Sequence, residues 1–309
     1  MRPTGIPPIE PYRNGWSPHP PPLSAPPRPS YHTHVLLFLM TFVTTVVAGM
    51  LWEGFHPIEQ INQFHRGLPY AMTLLGILLF HEMGHYLTAR YYGMDVTLPY
   101  FIPAPPPLFF IGTFGAFIRM KSPAQHRRAL LNVGAAGPIA GFCLALPAMV
   151  YAYATASVIP VPPNASGLSF GEPLLLQVIG RIVLGPVQEG YVVQINSVGI
   201  AAWFGIFVTV LNLLPIGQLD GGHIVYAILG PYARYVSWAV VCSLIVLGFF
   251  FLGWFLWALL GWLTSLRPQV VLDPQSPLDR RSLVIAGVAL AIFILCFMPV
   301  PISLETFAS

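Results

Sequence analysis

The chain has 309 residues, 55% of them hydrophobic and only 8% charged, against about 25% charged in an ordinary soluble domain. That balance excludes a soluble globular domain and indicates an integral membrane protein. The net charge of +3 is scattered, with no lysine or arginine run and no interleaving of basic and aromatic residues, which argues against nucleic acid as a partner.

Residues 1–33 carry eleven prolines and no apolar core, so they are expected to form a disordered cytoplasmic tail rather than a signal peptide. Crossing about 30 Å of hydrocarbon takes roughly 20 helical residues. Stretches of that kind run from His34 to Trp52, Pro69 to Tyr91, Ala129 to Thr155, Val198 to Ile216, Val236 onward to Leu266, and Ser282 to Ile302. Arg2, Arg13 and Arg28 in the tail, and Arg119, Lys121, Arg127 and Arg128 after the second stretch, mark the cytoplasmic side. The expectation is a multi-pass protein of the cell membrane with its N-terminus in the cytoplasm. Residues 232–266 are long for one span and short for two; a tight hairpin near Gly248 and Gly253 gives seven spans, a single tilted helix six. Cys143, Cys242 and Cys296 stand apart from one another within apolar stretches, where they read as small hydrophobes packed between helices.

The second stretch contains HEMGH. His81 and His85 are one turn apart and share a helix face, as two imidazoles must to hold one metal ion, and Glu82 lies about 100° round from His81, within reach of a metal-bound water. His81 lies nine residues before Arg90, about 14 Å along a helix, so the cluster is well below the cytoplasmic surface. Ionisable groups at such a depth are expensive and mark function.

A catalytic zinc site needs a third protein ligand and an open position. Of the four aspartates, Asp95 lies beyond the end of the second span, and Asp273 and Asp279 lie in a polar loop. Asp220 differs: it ends the fourth span, at the same membrane side as His81, among the helix breakers Pro215, Gly217, Gly221 and Gly222. Irregular backbone at that depth is tolerated where it lines a cavity. Asp220 also suits the N-cap of the helix that follows.

HExxH followed more than a hundred residues later by Asn212, Pro215, Asp220 and Gly221 in the spacing NxxPxxxxDG resembles the site-2 protease family of intramembrane zinc metalloproteases, peptidase M50. The resemblance covers roughly residues 69–230. It implies one zinc ion per chain on His81, His85 and Asp220, Glu82 as general base, and Asn212 steadying the substrate or the oxyanion. The block "LPYFIPAPPPLFFIGTFGAFIRM" resembles the family's membrane-associated β-hairpin, and "AAGPIAG", Gly137 to Gly141, its small-residue motif, where glycines at i and i+4 allow two helices to approach closely. An exposed edge in "GTFGAFIRM" suits pairing with an extended substrate, and a merely structural hairpin fits as well.

The implied fold is an all-α integral membrane protein, a polytopic transmembrane helix bundle of six to seven spans with a short membrane-associated β-hairpin. Its parts are the tail (1–33), a first span and outer loop (34–68), a catalytic membrane core (69–230) and C-terminal transmembrane helices (231–309). The outer segment 156–196 is too short for the PDZ domain that many bacterial members insert there, so a PDZ-less member is expected, with a short interfacial helix in "EPLLLQVIGRIVLG". Asn164 fits a glycosylation sequon. His223 reads as a contact to a neighbouring helix or headgroup, because a fourth protein ligand would close the site.

The expected activity is hydrolysis of peptide bonds in or near transmembrane segments, with a membrane-anchored protein as substrate and the lipid bilayer as surroundings. A metal or solute transporter and a non-proteolytic scaffold are the alternatives. Glu82 at the base position and the absence of a repeat of the HExxH half weigh against transport, and the filling of every catalytic position weighs against a scaffold.

Overall fold

The computed structural model describes residues 31–306 apart from 108, 162–165 and 267–268. The proline-rich segment 1–30 and the Asn164 sequon lie outside the described residues.

The chain is mostly helical. Helix α1 (His32–Trp52) is followed by a 3-10 turn (Ile61–Gly67) that runs into α2 (Leu68–Tyr91). Pro69 sits in the first turn of α2, where its missing N–H would have had no partner. Strand β1 (Tyr100–Pro103) pairs antiparallel with β2 (Thr113–Phe117), with Phe101 opposite Ala116 and a slip in register at Ile102/Pro103. Strand β3 (Ala124–His126) leads into α3 (Arg127–Ala154), capped where the His126 ring accepts the Ala129 N–H.

The outer segment contains β4 (Ser157–Pro160), β5 (Ser166–Phe170), α4 (Leu174–Val183) and β6 (Tyr191–Gln194), with β4 and β6 paired antiparallel. Asn196 caps α5 (Ser197–Leu213) by accepting the Gly199 N–H. An irregular turn separates α5 from α6 (Asp220–Leu229), and a 3-10 turn at Gly230–Tyr232 separates α6 from α7 (Ala233–Leu247). Then come α8 (Gly253–Ser265), β7 (Val271–Asp273), α9 (Arg280–Cys296) and β8 (Ile302–Thr306). The apolar stretch between Val236 and Leu266 is therefore broken at residues 248–252, where the hairpin was expected.

Two pairings tie distant loops together. Strand β3 runs parallel to β7, which joins the entrance of α3 to the α8–α9 linker. Strand β5 pairs antiparallel with β8, which joins the outer segment to the segment after α9. Arg127 reinforces the first end: its guanidinium donates to the Ala227 and Ile228 carbonyls at the end of α6, and its backbone N–H donates to the Ser276 hydroxyl.

The main core joins α2, α3 and α5. Tyr70, Leu74, Ile77 and Leu78 of α2 are buried with Leu131 and Ala135 of α3 and Ala201, Ala202, Ile206 and Val210 of α5. Alanines recur in this contact because helices in lipid gain from close packing rather than from removing apolar surface from water. A side chain on Gly84 of α2 would strike the Ala136 carbonyl of α3, so the two backbones touch there. A second cluster joins Leu214 and Ile216 in the α5–α6 turn to Leu244 of α7 and Trp254 of α8.

Among the described residues three helical runs are long and apolar enough to cross a membrane: His32–Trp52, Arg127–Ala154 and Asp220–Leu247. Large apolar side chains stand exposed along them and along α9, among them Leu36, Val43, Val246 and Val284. Patches of that extent suit contact with lipid and not with water. The cysteines depart from expectation: Cys296 is buried, but Cys143 of α3 and Cys242 of α7 are exposed among the described residues.

Candidate metal centre

Three chain segments converge at one buried point. His81 and His85 come from the middle of α2, with the one-turn spacing that puts both rings on the α3 side. Asn212 comes from the end of α5, and Asp220 is the first residue of α6. The N-cap of α6 is Leu219, so Asp220 is not the capping residue; its carboxylate is turned to the histidines instead.

The geometry is a triangle. His81 Nε2 lies 3.1 Å from His85 Nε2, and the two stand 3.3 and 3.2 Å from the same oxygen, Asp220 Oδ2. Among the described residues these three are the group of histidine, cysteine and acidic side chains that could hold a metal ion. The edge of a tetrahedron drawn by zinc–nitrogen and zinc–oxygen bonds of 2.0–2.1 Å is about 3.3 Å, so the triangle has the size of one tetrahedral face.

The proton arrangement fits a cation as well. His85 Nδ1 is 2.7 Å from the Val133 carbonyl, and a carbonyl only accepts, so Nδ1 carries the hydrogen. The neutral ring then presents a bare lone pair at Nε2. That lone pair meets a second imidazole nitrogen and a carboxylate oxygen, three atoms of the kinds that ligate a cation. The Asn212 side-chain amide donates toward His81 Nε2 at 3.3 Å, so its N–H borders the same point.

Glu82 is buried and shares with the triangle a cavity of about 190 Å³. Ile118, just beyond β2, borders the same cavity with Ala116 and Phe117, so the end of β2 forms part of its wall. His223 lines it too; it packs against Gly134 of the neighbouring helix α3, and its Nδ1 contacts Gln269 of the α8–α9 linker.

Two glycine pairs make this convergence possible. A side chain on Gly137 of α3 would overlap the His85 imidazole at Nε2, and one on Gly141 would press on His81 at 3.2 Å from its Cβ. These glycines are therefore sockets for the two rings rather than points where helix backbones meet. A side chain on Gly221 would overlap the Leu213 carbonyl, and one on Gly222 the Gly217 carbonyl. The start of α6 thus folds back against the turn before it, which brings the Asp220 carboxylate beneath the histidines.

All five residues singled out by sequence, His81, Glu82, His85, Asn212 and Asp220, line the one cavity. Sequence reading missed the Val133 carbonyl and Gln269. Val133 directly precedes the small-residue run, which is a weak signal; Gln269 has none.

Comparison with known proteins adds independent findings. The description of peptidase family M50 matches residues 69–254. "Probable zinc metalloprotease EGY1, chloroplastic" of Arabidopsis thaliana is 34% identical over 245 residues, covering 75% of this chain and 43% of that protein. "Probable zinc metalloprotease EGY2, chloroplastic" of the same plant is 32% identical over 202 residues, covering 63% and 34%. The protein of that name in Oryza sativa subsp. indica is 30% identical over 251 residues, covering 79% and 44%. The chain thus spans less than half the length of these relatives.

Proposed function

The chain belongs to peptidase family M50, and from that premise we propose that it is an intramembrane zinc metalloprotease that hydrolyses peptide bonds in or near transmembrane segments of membrane-anchored proteins. The observation that carries this reading is the triangle of His81, His85 and Asp220, 3.1–3.3 Å on a side, in one cavity with Glu82.

His81, His85 and Asp220 would hold the zinc ion. Bound there, zinc supplies a Lewis acid that polarises the scissile carbonyl and brings the ionisation of a water into the neutral range. Glu82 takes the proton of the attacking water and delivers it to the leaving amine. The Asn212 amide N–H donates to the oxygen on which negative charge develops. The Val133 carbonyl fixes the His85 tautomer and so keeps Nε2 bare for the ion.

A helical substrate must unwind before its peptide bonds can be reached, and in lipid each freed backbone group needs a new partner. In this reading β1 and β2 are the membrane-associated hairpin, and the free edge of β2 pairs with the unwound segment next to the cavity. No PDZ domain fits between α3 and α5, where the segment is taken up by three short strands and α4.

The membrane topology that agrees best with the pairings has seven spans: α1, α2, α3, α5 with α6, α7, α8 and α9. Arg127 at the entrance of α3 reaches the end of α6, and β3 pairs with β7, so those three loops share one side. Strands β5 and β8 share the other. Arg119, Lys121, Arg127, Arg128, Arg280 and Arg281 all fall on the first side, which is the cytoplasmic one by the positive-inside rule, as is the N-terminus. The domains are then the tail (1–33), the first span and outer loop (34–68), the catalytic core (69–230) and the C-terminal helices (231–309).

The test is Glu82→Gln in the full chain. Expressed in a bacterial inner membrane and crosslinked, the variant should retain one zinc ion per chain by metal analysis and accumulate uncut membrane proteins that the wild type releases as fragments. Cleavage by Glu82→Gln at the wild-type rate refutes the mechanism, and a wild type without zinc refutes the assignment of the centre.

A further inference from the structure

The proteolytic reading leaves His223, a polar group on the cavity wall, without a task. His223 lines the cavity with Glu82 and Asp220 but is not part of the three-atom cluster. Its Nδ1 lies 2.8 Å from Gln269 Oε1, and Gln269 Nε2 donates to the Gly217 carbonyl at 2.6 Å. The Gly217 carbonyl only accepts, so it fixes which end of the Gln269 amide is nitrogen. The amide oxygen then faces the ring, and because it also only accepts, His223 Nδ1 carries the ring hydrogen. Nε2 is left as a bare acceptor.

The ring belongs to the cavity lining, and among the described residues Nε2 has no hydrogen-bond partner. The ring is also held in place. A side chain on Gly134 would come within 3.1 Å of His223 Cβ, so α3 packs closely behind it. Gln269 is anchored in turn by the β3–β7 pairing that begins two residues later at Val271.

Resting on the proteolytic reading, we propose that His223 Nε2 touches the substrate, accepting a hydrogen bond from a backbone N–H beside the scissile bond, and that Gln269 is its positioning residue. An unwound substrate in a low-dielectric cavity must find an acceptor for every freed N–H. Of the other polar groups, the triangle faces the metal position, Glu82 handles the proton, Asn212 offers a donor, and Gln218 is already engaged in an interaction of its own. Strand β2 can serve one edge of an extended segment; His223, on α6, serves a backbone N–H that β2 does not.

The experiment measures binding and needs no known substrate. The zinc-loaded full chain in nanodiscs is titrated with acetohydroxamate, a short peptidyl hydroxamate, and the same peptide N-methylated at the amide next to the hydroxamate. In the wild type N-methylation should weaken binding about tenfold, the size of one buried hydrogen bond. In His223→Leu the parent peptide should weaken by a similar factor and N-methylation should add nothing, with zinc content unchanged. Gln269→Glu keeps an acceptor for Nδ1–H and should retain most of the methylation effect, whereas Gln269→Leu should lose it. This second pair decides the matter if His223→Leu fails to fold. An equal methylation effect in the wild type, His223→Leu and Gln269→Leu overturns the proposal while leaving the protease reading standing. A wild type that binds neither zinc nor acetohydroxamate overturns both.

Discussion

Replacing Gly137 by alanine adds one methyl group to α3, and the structure places that methyl inside the His85 imidazole, overlapping Nε2. Ordinary contact between a carbon and a ring nitrogen is about 3.5 Å, so the ring must retreat by an ångström or more. It has little room to do so. Its other nitrogen is bound to Val133 at 2.7 Å, and Nε2 is one corner of a triangle with sides of 3.1 and 3.2 Å. Any retreat that clears the methyl group opens that corner. Disturbing the support of a metal ligand typically weakens binding by 10–100-fold, and displacing the ligand itself should reach at least the upper end, so about 100-fold is expected for Gly137→Ala. Gly141→Ala is the internal control: its methyl group would lie 3.2 Å from His81 Cβ and 3.3 Å from Nδ1, a strain relieved by a few tenths of an ångström. Its effect on zinc should stay below about tenfold. The assay is zinc affinity by competition with a fluorescent chelator, read beside thermal unfolding in detergent, since overpacking alone costs about 1–3 kcal/mol. If the glycines merely let helices pack, both variants lose stability alike and the folded fraction binds zinc normally. Zinc affinity of folded Gly137→Ala within about twofold of wild type would falsify the socket argument.

Asp220→Ala removes one corner of the triangle and leaves two imidazoles, so zinc affinity should fall by more than about 100-fold, measured by the same competition. Asn212→Ala should keep zinc and lower kcat by about 10²–10³-fold with little change in KM, because its N–H acts on charge that develops only in the transition state; a change confined to KM would contradict that role. Removing the metal with a chelator should abolish cleavage, and adding back zinc should restore it, whereas magnesium, which prefers an octahedron of oxygen ligands, should not.

The distribution of legible and hidden features follows from the range of the interactions. His81, Glu82 and His85 were readable because one helical turn sets their relation, and Asp220 because helix-breaking residues in a membrane span need a reason. The broken helix between Leu247 and Gly253 was readable from loop charges and glycine. The outward-facing cysteines were not, because an apolar helix in lipid carries no polar face to show which side is buried. Gly137 and Gly141 were visible as a small-residue motif that lets two helices approach closely, but spacing does not say which groups fill the space; the structure sets the His85 and His81 rings of α2 there.

The sequence by itself determined the membrane class and singled out the residues of the candidate metal centre. Only the tertiary structure decided how those segments meet: Asn212 and His81 are 131 residues apart and 3.3 Å distant, Gly137 holds the His85 ring, and the Gly217 carbonyl acts through Gln269 to orient His223. Such contacts leave no mark in a single sequence, because a glutamine or a backbone carbonyl has no local periodicity. Its role arises only when packing brings it within hydrogen-bond distance of a partner from another part of the chain.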